Sequence, residues 1–340
     1  MKKTILLTGG LGYIGSVTAQ LLHELDYDIV IIDKLVHKQT FSPSWARIIK
    51  GDVGNKAVLR ALFREYEFDA VMHFAGLIEV GQSVIRPELF YDNNVAQSLI
   101  LLETMRMHNV KKIIFSSSCA VYGNPLYVPM DEKHPFAPLS PYGKTKLAVE
   151  YMLQDFARAF DFSYVALRYF NAAGAVPEHN IGECHNPETH VLPLLLRAML
   201  LRETFTIFGD DYDTFDGTCV RDYVHVHDIA RAHVQALGHI SCGGTSDAFN
   251  LGSGTGYSVR QLVGVAQDVC KQKLITETVK RRPGDVSTLV AQSGKALEVL
   301  GWKPERSDLQ TIIRDAWIWE QQRCKHIAKR TVKTQTATAS

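Results

Sequence analysis

Several features that mark large classes of protein are scarce or missing in this sequence. Six cysteines, at positions 119, 184, 219, 242, 270 and 324, are scattered and form no C-x-x-C. Neither a disulfide framework nor a zinc knuckle is indicated, and a reducing compartment is expected. No sign of charge is in surplus: 37 Lys and Arg against 36 Asp and Glu leave +1. That balance gives no electrostatic reason to expect a nucleic acid or a membrane surface as partner. The most apolar stretch, 191–201, is too short to span a bilayer and is interrupted by Arg197. Met1-Lys2-Lys3 ahead of Ile5-Leu6-Leu7 has the look of a secretory leader. Its apolar run stops at Thr8-Gly9-Gly10, however, and reads better as a strand and a turn. No internal repeat is visible. These absences point to a soluble, cytoplasmic globular protein. A chain of 340 residues, 46% hydrophobic and 21% charged, has enough material for one large or two modest domains.

What is present is a rhythm. Short β-branched runs at 4–7, 29–33, 47–50, 70–74, 112–116 and 164–169 read as buried strands, and helical periodicity at 13–25, 56–66, 97–108 and 141–160 separates most of them. Strands apolar on both faces and alternating with helices predict an α/β fold built on a doubly wound parallel sheet of the Rossmann type. After Asn171 the rhythm changes to an irregular connection, a helix near 191–202 and a strand at 205–208. A strand–helix unit at 223–238, a strand at 248–251 and helices near 258–271 and 308–323 follow. The expected organisation is a dinucleotide-binding domain over 1–171, with 215–240 returning to it, and a smaller mixed α/β substrate domain over 172–325. The Lys- and Thr-rich segment 326–340 is expected to be a disordered tail.

Chemistry concentrates at a few places. Gly9, Gly12 and Gly15 form G-x-x-G-x-x-G directly after the first strand and ahead of a helix. Such glycines allow a tight turn, close approach of a pyrophosphate and contact between helix and strand, while the helix N-terminus offers unpaired N–H groups. Asp33 closes the second strand, where an acid accepting from ribose hydroxyls is expected. A carboxylate there favours NAD over NADP, and Lys34 beside it weakens that preference. Asp52, next to Val53 after the third strand, is a candidate adenine contact or a turn aspartate, and Phe74-Ala75-Gly76 ends the fourth strand in small residues, as a cofactor lying across it would require. Tyr142 and Lys146 stand four residues apart in a probable helix, which places phenol and ammonium on one face. A nearby cation favours phenolate, so the Tyr142 pKa is expected to fall toward neutrality, where it can act as acid or base. The spacing alone also fits a solvated helix face. Ser118, at the end of the fifth strand, and the glycine turn tip the reading toward redox chemistry on an alcohol.

With these residues in place, the chain resembles the extended short-chain dehydrogenase/reductases, and among them those that epimerise UDP-sugars at C4. The matching stretches include Thr8 to Ser16, His73 to Leu77, Tyr91 to Val95, Ser116 to Ser118 with Val121-Tyr122-Gly123, and Ser140 to Lys144. They continue through Leu167 to Asn171, Asp216-Gly217-Thr218, Val220 to Tyr223, and Arg281-Arg282 with Asp285. The resemblance implies that Tyr142 is the acid/base at the sugar 4-hydroxyl, that Lys146 tunes it and holds the nicotinamide ribose, and that Ser118 bonds the same hydroxyl. It also implies an NAD site that includes Tyr13, Ile14, Asp33, Asp52, Val53, Phe74, Ala75, Gly76, Asn93 and Phe170. Asn171, Phe208, Arg221, Arg282, Asp285 and Leu289 would then face the UDP-sugar. The activity implied is interconversion of UDP-galactose and UDP-glucose, as part of galactose metabolism, by a homodimer packed through helices near 97–108 and 141–160.

This chain departs from the family in four places. Ile78-Glu79 stands where relatives carry a lysine, Lys34 replaces the usual asparagine, and Cys119 follows Ser118. Leu289 sits where the family gates N-acetylated sugars and is of intermediate size, so acceptance of UDP-GlcNAc stays open. Cys119 and Ala120 stand where a 4,6-dehydratase needs acids. Epimerases of UDP-glucuronate and a non-catalytic NAD-binding sensor remain as alternatives. The run from Glu178 to His190 holds several potential ligands, but its spacing matches no standard zinc pattern and no metal is expected. His225 and His227 are expected to alternate on a strand as partly buried, hydrogen-bonded side chains.

Overall fold

The computed structural model of the chain describes residues 2–35, 41–282 and 285–337. At its centre lies a seven-stranded parallel sheet. From one edge to the other its strands are Asp247–Leu251, Ser163–Tyr169, Lys112–Ser118, Ala70–His73, Thr4–Thr8, Asp28–Asp33 and Arg47–Lys50. The chain starts in the fifth of these, builds outward through Asp28–Asp33 and Arg47–Lys50, then crosses back to Ala70–His73 on the other side. The connections therefore diverge above Thr8 and His73, which are paired in register. That divergence opens the crevice in which open α/β sheets place their ligands.

Alternation along the first strand shows why both faces must be covered. Ile5 and Leu7 pack into a cluster with Val17, Leu22, Ile229 and Leu237, from helices Tyr13–Glu24 and Val226–Ser241. Leu6, between them, joins Leu59, Leu101 and Leu153, from helices Lys56–Glu65, Gln97–Met107 and Pro141–Phe160 on the opposite face. All three strand residues are fully buried, so neither face tolerates the polar alternation of a one-sided sheet.

Beyond Asn171 the chain forms a smaller mixed layer. Val220–His225 pairs antiparallel with Gly256–Ser258 and parallel with Thr288–Leu289, and its last three residues pair with Asn171–Ala173. Phe205–Phe208 pairs with Thr276–Val279. Leu195, Leu196, Leu262, Ile312 and Ile313 form a separate apolar cluster between helices Val191–Leu201, Val259–Cys270 and Leu309–Ala337.

Three expectations are corrected. The strand at 247–251 belongs to the large sheet, beside Ser163–Tyr169, and not to the smaller layer; Phe249 and Leu251 are fully buried against the same cluster as Ile5. In the unit at 223–238 the helix returns to pack on Tyr13–Glu24, whereas the strand stays in the smaller layer, and His227 lies on that helix while only His225 ends the strand. Residues 326–337 continue the last helix, and 338–340 lie outside the described residues. No glycine or proline interrupts 309–337, so nothing in the sequence breaks the helix once its packed residues have nucleated it.

Candidate active site

The glycine turn is built by crowding. Gly9 has a φ of +66°, and a Cβ there would stand 2.7 Å from the Ala75 nitrogen; at Gly15 it would stand 2.6 Å from the Gly9 oxygen. Helix Tyr13–Glu24 then begins at Gly12 with no side-chain cap and no acid in its first turn, which leaves its positive end available to an anion. The Tyr13 hydroxyl donates to the Gly174 carbonyl at 2.6 Å, so its side chain ties the turn to the chain beyond Asn171, and what Tyr13 and Ile14 present to the crevice is the helix start. Asp33 accepts from the Leu11 and Leu35 nitrogens at 3.1 and 2.8 Å. Asp52 caps its own turn at Gly54, next to the buried Val53. Lys34 turns away from Asp33 to pair with Asp52 at 3.0 Å and donates to the Asn93 side chain at 2.8 Å. Its charge is thereby spent on a neighbouring acid. These residues fit a dinucleotide with a free ribose diol.

The candidate reacting groups sit at the C-terminal edge of the sheet. Ser118 ends its strand, paired with Tyr169, and Tyr142 and Lys146 lie on the first turns of helix Pro141–Phe160. Pro141 takes the first helical position and the Ser140 hydroxyl accepts from the Gly143 nitrogen at 3.1 Å, which fixes where that helix starts. Ser118, Tyr142 and Lys146 are only 7, 7 and 3% exposed, which rules out the solvated-face reading of the pair. Lys146 Nζ donates to the Ser116 carbonyl at 2.8 Å and lies 5.8 Å from the centre of the Tyr142 ring. Burial pulls its pKa down to about 8, against the Glu150 carboxylate.

The expected fall in the Tyr142 pKa is not found among the chain's own groups. Burial pushes it above the ordinary tyrosine value, the neighbouring Tyr169 adds to the rise, and the Ser118 hydroxyl opposes it. Desolvation outweighs a cation whose hydrogen bond goes to a backbone carbonyl. The Cys119 thiol is likewise pushed up to about 12 by burial, with the Arg221 guanidinium acting against it. It is an inert packing group rather than a reactive thiol.

Facing these groups is a second set. Asn171 donates to the Asp222 carbonyl at 2.8 Å. Arg221 is paired in register with Leu289 and reaches Asp285 at 3.9 Å, and Arg282 stacks 4.3 Å over the Phe208 ring with its Nε 4.0 Å from Asp285. Leu289 and Cys119 pack on the cluster that contains Phe170, which joins this group to the Ser118 strand. Two guanidinium groups flanking one carboxylate beside an aromatic ring suit a diphosphate and a ribose diol.

Two polar networks were not singled out from the sequence. Glu150, one turn beyond Lys146, is buried and bonds Ser117 at 2.5 Å and Arg168 at 3.0 Å; Arg168 continues to Tyr122 at 2.9 Å and Tyr122 to Asn250 at 2.7 Å. The signal available was a charged residue at i+4 from Lys146 on a helix face that has to be buried. The second network runs from Thr8 through His73 and Ser98 to the Asn94 carbonyl, with contacts of 2.6, 2.8 and 2.6 Å. The Asn94 side chain in turn accepts from the Leu77 nitrogen at 2.8 Å and donates to Thr145 at 3.1 Å. It lies in a π-helical turn, Tyr91–Ala96, and secures both the loop after Gly76 and the helix that carries Tyr142.

The family model described as "NAD dependent epimerase/dehydratase family" matches residues 5–252. The chain belongs to the NAD dependent epimerase/dehydratase family. Within that family it is 44% identical over 319 residues to a UDP-glucose 4-epimerase of Halalkalibacterium halodurans, covering 94% of this chain and 96% of that one. The crystal structure of the Brucella ovis UDP-glucose 4-epimerase in complex with NAD superposes with a TM-score of 0.90 at 42% identity, covering 93 and 97% of the two chains. The Bifidobacterium longum UDP-glucose 4-epimerase in complex with NAD+ and UDP superposes at 0.88 with 36% identity, covering 94 and 98%.

Proposed function

We propose that this chain interconverts UDP-galactose and UDP-glucose by oxidation and re-reduction at C4 of the sugar, with NAD as a resident cofactor. One observation carries the reading: Cys119, next to Ser118, packs on the same cluster as Leu289, whose strand partner Arg221 reaches Asp285, so the strand end that carries the proton relay meets elements suited to UDP. The uncapped helix end after Gly12 would hold the pyrophosphate and Asp33 the adenosine ribose, with Asn93, Phe74 to Gly76 and Phe170 lining the rest. When bound, NAD supplies the acceptor and donor of the C4 hydride.

The residues of the chain handle the proton and the geometry. Tyr142 takes the 4-hydroxyl proton on oxidation and returns it on reduction, while Ser118 orients the same oxygen. Because burial and the neighbouring Tyr169 hold the Tyr142 pKa up, ionisation requires positive charge beside the phenol, of which Lys146 supplies a part. Arg221, Arg282 and Asp285 anchor UDP, leaving the 4-keto sugar to turn about its diphosphate link so that both faces can be reduced. Helices Gln97–Met107 and Pro141–Phe160 expose Leu99, Met107 and Tyr151, which supports a homodimer through them. Six free cysteines support a cytoplasmic location.

The direct test is incubation with UDP-galactose without added NAD, scored for UDP-glucose, with UDP-GlcNAc and UDP-glucuronate in parallel. We predict that Tyr142→Phe lowers turnover by on the order of 10²–10⁴-fold while UDP-sugar binding by calorimetry is kept. Activity retained within about tenfold of wild type would refute the proton relay.

A further inference from the structure

The segment that links the two sheets carries a constellation the epimerase reading leaves unused. Glu183, His185, Glu188 and His190 each present one ligand atom, and all four atoms lie within 4.8 Å of one another. From these residues we propose a divalent-cation site, Zn²⁺ being the ion it fits best, that closes the segment 183–190 on itself beside the C-terminal helix.

Distances and supporting contacts favour it. A tetrahedral ion with bonds of about 2.0 Å separates its ligands by about 3.3 Å. Here His185 Nδ1 stands 3.1 Å from Glu183 Oε1 and 3.7 Å from Glu188 Oε1, and His190 Nδ1 touches Glu183. Binding thus calls for the opening of one contact rather than assembly of a site. The two carboxylates are nearly buried, with side chains 6 and 2% exposed. Glu320 is buried beside them, and among the described residues Arg197 and Arg323 pair with these acids alongside His185 and His190, whose protons a divalent ion would replace. The ligands are already held: Glu188 accepts from the Thr189 and His190 nitrogens at 2.9 and 3.1 Å and from Arg197 at 3.2 Å. The Glu183 carbonyl accepts from Trp319 Nε1 at 3.0 Å. Such outer contacts orient ligands ahead of the metal. Two imidazoles with two carboxylates suit Zn²⁺ rather than Mg²⁺ or Ca²⁺, which prefer oxygen alone. Four protein ligands make the site closed and structural. The strand Ile181–Gly182 that leads into the clasp packs on helix Tyr13–Glu24, which follows the glycine turn.

The test uses the full chain, stripped with chelator and titrated with ZnCl₂ by calorimetry, alongside His190→Gln and Glu188→Gln. One Zn²⁺ per chain is expected in the wild type. Zinc at about a hundredfold over its Kd should raise Tm by about 4 °C, and both variants should lose that shift. Because a variant can misfold, Co²⁺ is added to the wild type in parallel, where tetrahedral absorption in the visible range is expected. Absent zinc binding, equal binding by the correctly folded variants, or a Co²⁺ spectrum without tetrahedral bands would each overturn the proposal.

Discussion

Lys146 is a buried cation retained at an energetic cost. Its folded pKa, about 8, lies below the unfolded value of 10.5. Between those two pH values the unfolded chain binds more protons, so stability rises with pH there; below pH 8 the buried ammonium opposes folding by about 3 kcal/mol. Its hydrogen bond to the Ser116 carbonyl offsets part of this, since an orphaned buried acceptor costs about 1–3 kcal/mol. We therefore predict that Lys146→Met abolishes epimerisation yet raises stability at pH 7 by about 1–2 kcal/mol, relative to wild type measured without added NAD. Urea denaturation at pH 7 and pH 10 checks the sign, because the gain should fade toward the higher pH. A variant less stable than wild type at pH 7 would show that the lysine is held for the fold and not for the reaction. Lys34 shows the limit of reasoning from neighbours in sequence. Beside Asp33 it suggests tolerance of a 2′-phosphate, but its ammonium is engaged by Asp52, a partner that only the adjacent strand end brings within reach.

At the scale of elements, the helix Pro141–Phe160 must hold Tyr142 and Lys146 steady, and its anchor is the Glu150–Arg168 pair, with side chains 2 and 4% exposed. Breaking such a pair from one side strands a buried charge. Arg168→Met should cost about 3–5 kcal/mol, whereas Glu150→Leu combined with Arg168→Met should recover most of it. A double-mutant cycle by thermal or urea unfolding measures this, and a double variant no better than the single would argue against a stranded charge. The elements themselves were legible in the sequence, because runs such as 4–7 and 112–116 are largely apolar on both faces and the glycine turn follows the first of them directly. Strand order was less so. Asp247–Leu251 is short, lies far along the chain and has no crossover signature of its own, so its place at the sheet edge depends on long-range packing of Phe249 and Leu251. The Ser118, Tyr142 and Lys146 set could be picked out by residue type and spacing. Glu150, Arg168 and Asn94 could not, since a buried polar residue looks like a surface one until its partners from other elements are known.

For the molecule as a whole, the crevice depends on histidines that must stay neutral. His73 links Thr8 to Ser98 under the first strand end, and His233 stacks 4.7 Å from Phe74, donating to the Ile229 carbonyl. Burial lowers their pKa values to about 3 and about 4, from 6.5. A depressed histidine contributes stability that is complete above the unfolded pKa and lost as pH falls toward the folded one. Between pH 6.5 and 4 the unfolded chain binds the extra protons, and each residue removes about 1.4 kcal/mol per pH unit. The pair would therefore withdraw about 5 kcal/mol by pH 4.5, comparable to the whole margin of about 5–15 kcal/mol typical of a folded protein. We predict cooperative acid unfolding with a midpoint between about pH 4 and 5. His233→Leu should flatten the approach to it by about 1.4 kcal/mol per pH unit. Saturating NAD should move the midpoint to lower pH, because both histidines support the walls of the crevice assigned to it and a ligand that binds only the folded state adds to its stability. Circular dichroism across pH 7 to 3, with and without NAD, reads all three. A midpoint indifferent to NAD would separate acid lability from the cofactor crevice and place it elsewhere in the fold.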